Sequence, residues 1–278
     1  MKKHALIFCA VTAAGLLSAG RVFGAPPPPI PLASLLSLRA TGRLEVVTAG
    51  CGNSTGHVAD LRLRNLTADS LRVEVPPLLL ESRSGKFQHY ACPFGQTIRL
   101  AAQGTATVPL EGMCLTHPRP AVGNGVTGEL LPNDGNPGLP RPVGSHFTST
   151  EARKLVRVAE SYYLASEQLE RRGAYRHLPY RDSKTRTKVA TQIGVWQDPQ
   201  VAKLTGTKPV TKQEIEHACV DEQENTQPVT PETKEKFEQG VEEVSKAVTL
   251  TTQEAKVHER PDPFAKVELT GQKAKTNG

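Results

Sequence analysis

Residues 57–65 alternate in character. Ala59, Leu61 and Leu63 fall on one side of an extended chain, and Asp60, Arg62 and Arg64 on the other. Residues 71–75 repeat the pattern, with Leu71, Val73 and Val75 set against Arg72 and Glu74. Period two gives a strand one buried face and one wet face. Between the two runs, 65–70 (Asn-Leu-Thr-Ala-Asp-Ser) is rich in turn formers, so the pair reads as an antiparallel hairpin. Residues 43–48, 96–101 and 105–110 are further strand candidates. Pro76, Pro77 and Pro109 have no N–H to give to a ladder and belong at strand ends or edges. Short strands at this spacing predict an antiparallel β-sandwich of immunoglobulin-like size over 43–116.

Beyond residue 150 the period changes. Leu155, Val158, Tyr162, Ala165 and Leu169 recur at steps of three and four, one face of an amphipathic helix. Thr150 is expected to cap it, with Glu151 in its first turn and Arg171, Arg172 and Gly173 at its end. Residues 187–196 predict a second helix. A third starts at Thr211, where Glu214 completes a capping box and Ile215, Ala218 and Cys219 share the inner face. A fourth starts at Pro231, with Phe237, Val241, Val244 and Val248 as its stripe. Residues 117–149 are rich in Pro, Gly and Asn and read as an irregular connection. The expected class is α+β: a sandwich, a helical region over 150–248 and a polar, disordered tail over 249–278.

The first residues look like export machinery. Lys2 and Lys3 precede an uncharged apolar run over 5–19, and Val22, Phe23 and Gly24 offer a cleavage site, so 1–24 reads as a signal peptide. Residues 25–42 begin with a stiff Pro-rich spacer. The mature chain is then secreted, periplasmic or displayed at the cell surface, with no transmembrane span once the signal is cleaved. The formal charge of +6 includes Lys2, Lys3 and Arg21, and +3 remains without them. That excess, with no basic run interleaved with aromatics, argues against nucleic acid and leaves a protein or envelope surface component as the partner class.

Five cysteines are present, and Cys9 leaves with the signal. Cys51, Cys92, Cys114 and Cys219 form an even set that export would pair as disulfides, in any of three connectivities. Two sequons, at Asn53 and Asn65, read as turn sequence. The nucleophile elbow, the zinc-protease helix and the phosphate-binding loop are absent from the sequence, so neither an enzyme nor a cofactor is indicated. His89-x-x-Cys92 and Cys114-x-x-His117 together offer a two-nitrogen, two-sulfur zinc set, which oxidation of the cysteines would oppose.

Cys114 on a strand, followed after helical sequence by Thr191-Gln192-Ile193-Gly194-Val195-Trp196, resembles the thioester domains of bacterial surface adhesins. The resemblance covers about a dozen residues. It implies that Cys114 sulfur and the Gln192 side chain form an internal thioester, that Trp196 packs beside the bond, and that an amine on another molecule attacks it. Gly194 stands where those domains usually have Ala, and Leu115-Thr116 where they tend to have an Ile-Asp-like pair. A small residue at 194 is expected to let the Gln segment approach the Cys strand. Two functions are therefore carried forward: a non-catalytic binding or structural protein of the envelope or extracellular space, and a thioester module that bonds covalently to amines.

Overall fold

The computed structural model describes residues 32–211 and 231–258. The expected signal peptide, the Pro-rich start of the spacer, the helix expected after Thr211, Cys219 and the last part of the expected tail lie outside these residues. The described residues form an α+β fold of nine strands in two sheets and five helices. The strands are β1 (Leu32–Ser34), β2 (Leu44–Gly50), β3 (Thr55–Asn65), β4 (Leu71–Val75), β5 (Leu78–Ser82), β6 (Tyr90–Cys92), β7 (Gln96–Leu100), β8 (Thr105–Cys114) and β9 (Leu130–Asn133). The helices are α1 (Leu35–Ala40), α2 (Ser149–Arg171), α3 (Ser183–Gln197), α4 (Pro199–Thr205) and α5 (Pro231–His258).

The small sheet has the order β1-β4-β7, and the large one β2-β3-β8-β6-β5-β9. The expected hairpin of β3 and β4 does not form. β3 pairs with β2 and β8, while β4 pairs with β1 and β7 in the other sheet. The intervening turn carries the chain between sheets, and Asn65 organises it. Asn65 Nδ2 donates to Asp69 O at 2.7 Å and to Ala101 O at 2.8 Å, and Asn65 Oδ1 accepts from Thr67 N at 2.9 Å and Thr67 Oγ1 at 2.8 Å. The side chain thus spends its carboxamide on two loops rather than one tight turn, and it is fully buried. Its nitrogen is not available to a glycan in the folded protein.

Alternation does place the strands' faces correctly. Leu61, Leu63, Val73, Val75, Val108 and Leu110 join one apolar cluster drawn from both sheets. Pro109 sits opposite Asp60, and its carbonyl accepts from Gln96 Nε2 at 3.2 Å, so its missing N–H faces away from β3. The other face of the large sheet is covered at one end by α2. There Leu79, Ala91, Met113 and Leu115 pack with Ala152, Leu155, Ala159 and Tyr162. A third cluster binds α2, α3 and α5 through Leu169, Ala190, Ile193 and Val244.

Several boundaries differ from expectation. α2 starts two residues earlier than Thr150 would place it, because Thr148 and Glu151 exchange the two bonds of a capping box. Gly173 has φ +80° just past the helix, as a left-handed terminator requires. α5 continues to His258, past Val248, because Thr251 and Ala255 are buried against the other helices. Residues 32–40, expected as spacer, form β1 and α1, with Leu35 and Leu38 in the shared core. The connection over 117–149 contains β9 and is held by a buried carboxylate. Glu81 Oε1 accepts from Asn133 Nδ2 and Ser145 Oγ, each at 2.7 Å, and Oε2 accepts from His146 N at 2.7 Å. An irregular segment can lie against a sheet when its polar groups are satisfied in this way.

Asn65→Ala removes four hydrogen bonds at once and unties the two loops that the buried carboxamide joins. It is expected to lower the unfolding free energy by about 2–4 kcal/mol. The check is urea denaturation, with a lower midpoint at an unchanged m value.

Candidate functional site

The site is built where β8 ends. β6 is short and meets β8 only through Tyr90 opposite Cys114 and Ala91 opposite Met113. Beyond that the ladder stops, and the peptide of Cys114 needs other partners. Its N–H donates to Ser54 O at 3.0 Å and is shared with Gln192 Oε1 at 2.9 Å. Gln192 Nε2 donates back to Cys114 O at 2.7 Å. A carboxamide from a helix thus completes the last rung of the sheet, with both polar atoms satisfied out of water.

α3 is held in place to make this contact. Asp182 caps its start by accepting from Thr185 N at 2.7 Å. The half-buried guanidinium of Arg186 bonds the Glu170 carboxylate of α2. Thr191 turns its hydroxyl back onto Thr187 O at 2.7 Å and leaves the face to Gln192. Gly194 allows close approach, but not toward the strand that carries Cys114. A Cβ there would meet the Tyr162 ring at 2.5 Å from Cδ1, so the glycine lets α3 lie against α2. That contact also gives a physical reason for glycine rather than alanine at this position.

Around the sulfur the surroundings are dry. Cys114 is fully buried, and burial pushes its thiol up to about 12. The Thr116 N–H, 3.4 Å from Sγ, the Trp196 indole and the Arg119 charge pull in the opposite direction without offsetting it. The Trp196 Nε1–H is buried beside the sulfur and is not aligned for a normal hydrogen bond to any acceptor. The Trp196 ring bridges the sheet core and the third helical cluster, and His117 lies against it at 4.7 Å between centroids. Sequence reasoning named Trp196 but did not foresee Thr116, Ser54 or the His117–Trp196 contact. Backbone partners such as Ser54 O leave no trace in side-chain identity.

The structure thus brings together Cys114, Gln192 and Trp196. It does not bring together the other expected sets. Cys51, Cys92 and Cys114 are all free thiols, so no disulfide is present among the described residues, and Cys219 lies outside them. Cys92 faces Leu78 on one side, and Cys114 faces Tyr90 on the other strand, a diagonal relation. Diagonal neighbours lie about 7–8 Å apart, whereas a bridge needs Cβ atoms about 3.5–4.5 Å apart. The zinc set fails too. His89, Cys92, Cys114 and His117 do not gather their donor atoms, and among the described residues the one three-donor group is Cys51, His57 and Asp60. His89 is instead engaged in the core: its Nδ1 accepts from Ser82 N at 2.9 Å and its Nε2 faces Arg119 Nη1 at 3.2 Å. Burial, aided by Arg119 and His146, lowers its pKa to about 3.

Comparison of the chain with protein-family models, with curated proteins and with solved structures finds no match. Among the described residues, no helix is long and apolar enough to cross a membrane.

Two outcomes follow from these contacts. Gly194→Ala should destabilise the protein by about 1–3 kcal/mol, although alanine is the better helix former by about 1 kcal/mol, because the added methyl overlaps Tyr162. Chemical denaturation of the pair of proteins measures it. His89 stays neutral in the fold to about pH 3, while in the unfolded chain it takes up its proton near 6.5. Its contribution is therefore complete above 6.5 and is lost as pH falls toward 3, with a slope of up to about 1.4 kcal/mol per pH unit. His89→Gln should flatten the fall in unfolding free energy measured across that interval.

Proposed function

We propose that this chain is an exported module in which the Cys114 thiol and the Gln192 carboxamide condense to an internal thioester that then acylates amines on a partner molecule. The observation that carries the reading is the reciprocal pair of hydrogen bonds between the Gln192 carboxamide and the peptide of Cys114. The carboxamide lies against the very residue that bears the sulfur, 78 positions away in the chain. The weak resemblance to bacterial surface thioester domains, noted on Cys114 and residues 191–196, points to the same two side chains. Two sheets that share one apolar core support reading the strand-rich half as a sandwich of the expected kind.

The chemistry balances. Sγ attacks Cδ of Gln192, the S–C bond forms, the C–N bond breaks, and the thiol proton leaves with the nitrogen as ammonia. The Cys114 N–H already bonds Oε1 and would stabilise the charge that develops there. In the second half-reaction an amine attacks the same carbon, an amide forms, and the sulfur leaves and is protonated. Burial that disfavours the thiolate favours the uncharged thioester and makes the sulfur a poor leaving group, so water alone reacts slowly. Among the described residues, Cys51 and Cys92 are free thiols and neither is bonded to Cys114.

A second reading keeps the module non-catalytic, a binding or structural protein of the envelope or extracellular space. It is favoured by the same bonds, since a satisfied carboxamide can simply pin α3 to β8. Export itself rests on Lys2, Lys3 and the apolar run after them.

Intact mass of the purified mature protein separates the two readings. The thioester predicts a chain lighter by one ammonia, gain of one methylamine at Gln192 on incubation with that amine, and a newly alkylatable thiol at Cys114. A full-mass chain that takes up no methylamine defeats the thioester and leaves the structural role.

A further inference from the structure

The large sheet carries a second group of reactive side chains, on the face away from its shared core. Along β3, Leu63, Leu61 and Ala59 point inward and Asp60 outward. An unbroken strand would send His57 inward with the leucines. The register with β8 slips between His57 and Ala59, and Val58 joins Ala59 in the core. The bulge therefore turns His57 onto the face of Asp60. Cys51 meets them from the end of β2, with its N–H donating to Val58 O at 3.0 Å. Cys51 Sγ lies 3.4 Å from His57 Nε2, which lies 2.8 Å from Asp60 Oδ1, and the three donor atoms fall within 4.8 Å of one another.

We propose that Cys51 Sγ, His57 Nε2 and Asp60 Oδ1 form a binding site for a divalent transition metal, zinc in the first instance, with a fourth position open to water or an outside ligand. Tetrahedral zinc holds sulfur at about 2.3 Å and nitrogen or oxygen at about 2.0–2.1 Å, which sets donor pairs about 3.3–3.7 Å apart. The Cys51–His57 distance already fits, and the His57–Asp60 hydrogen bond needs to open by about 0.5 Å as the ion replaces the proton between them. A thiolate with an imidazole and one carboxylate selects zinc over magnesium or calcium, which take oxygen ligands. A Cys-His-Asp proton relay is the competing use of these residues. It requires thiol and carboxylate on opposite ring nitrogens, and here both sit on Nε2.

The loop that presents Cys51 is fixed before any ion arrives. Asn53 Nδ2 donates to His57 O at 2.8 Å, Gly52 N donates to Val122 O at 2.9 Å, and Gly52 takes φ +78°. The site is also reachable, since the His57 and Asp60 side chains keep 43% and 29% of their surface exposed. Arg62 follows Asp60 on the same face. Two anionic ligands, thiolate and carboxylate, offset the ion's charge beside it.

The test uses the mature chain, stripped with a chelator and titrated with Co²⁺. One equivalent should produce a thiolate-to-cobalt charge-transfer band, which Zn²⁺ then abolishes by displacement. Cys51→Ser should remove the band, and His57→Asn and Asp60→Asn should each weaken cobalt binding about tenfold or more. Cys219→Ser should leave it intact. Both half-exposed variants are surface changes, so they remain informative if Cys51→Ser does not fold. No band in the wild-type chain, or a band unchanged across the Cys51, His57 and Asp60 variants, overturns the proposal.

Discussion

A buried carboxamide fastens the helical region to the end of β8. Gln192 leaves α3 and meets both polar groups of the Cys114 peptide, at the last residue of β8. The Cys114 N–H would keep Ser54 O if the helix left, but the buried carbonyl would lose the Gln192 donor, at a cost of about 1–3 kcal/mol. Everything that positions α3 bears on the same contact: the Asp182 cap, the Arg186–Glu170 pair and the tight approach over Gly194. Among the described residues the strand-rich and helical regions are thereby coupled through hydrogen bonds as well as through the apolar packing of α2 on the large sheet.

The parts that were legible in the sequence are those governed by side-chain periodicity. The inward faces of β3, β4 and β8 and the stripe of α2 follow from it. What was not legible depends on partners far apart in the chain. Nothing local says that β3 and β4 part company into two sheets, because the deciding feature is Asn65 bonding Ala101 O across 36 positions. The short strands β1, β6 and β9 carry too few residues to show a period. Buried on both faces, β5 shows no alternation at all. The site divides in the same way. Cys114, Gln192 and Trp196 could be singled out by type and spacing, whereas Thr116 N and Ser54 O act through backbone atoms.

Two groups of thiol chemistry sit on one sheet in opposite environments. Cys114 faces the apolar interior at the covered end, where charge is expensive. Cys51 lies on the outer face, with an imidazole and a carboxylate at hand. The bulge at Val58 is what makes the second environment, since one added residue exchanges the faces of everything before it.

The packing of Asn65 has a bearing on where this chain can be made. Its sequon, Asn65-Leu66-Thr67, is complete in the unfolded polypeptide but closed in the fold, because the nitrogen that would accept a sugar is already giving its two protons to Asp69 O and Ala101 O. A cell that attaches glycans to emerging chains would reach Asn65 before those bonds exist. The attached sugar would then stand where two loops must close, and the chain would be held open at the crossing between its sheets.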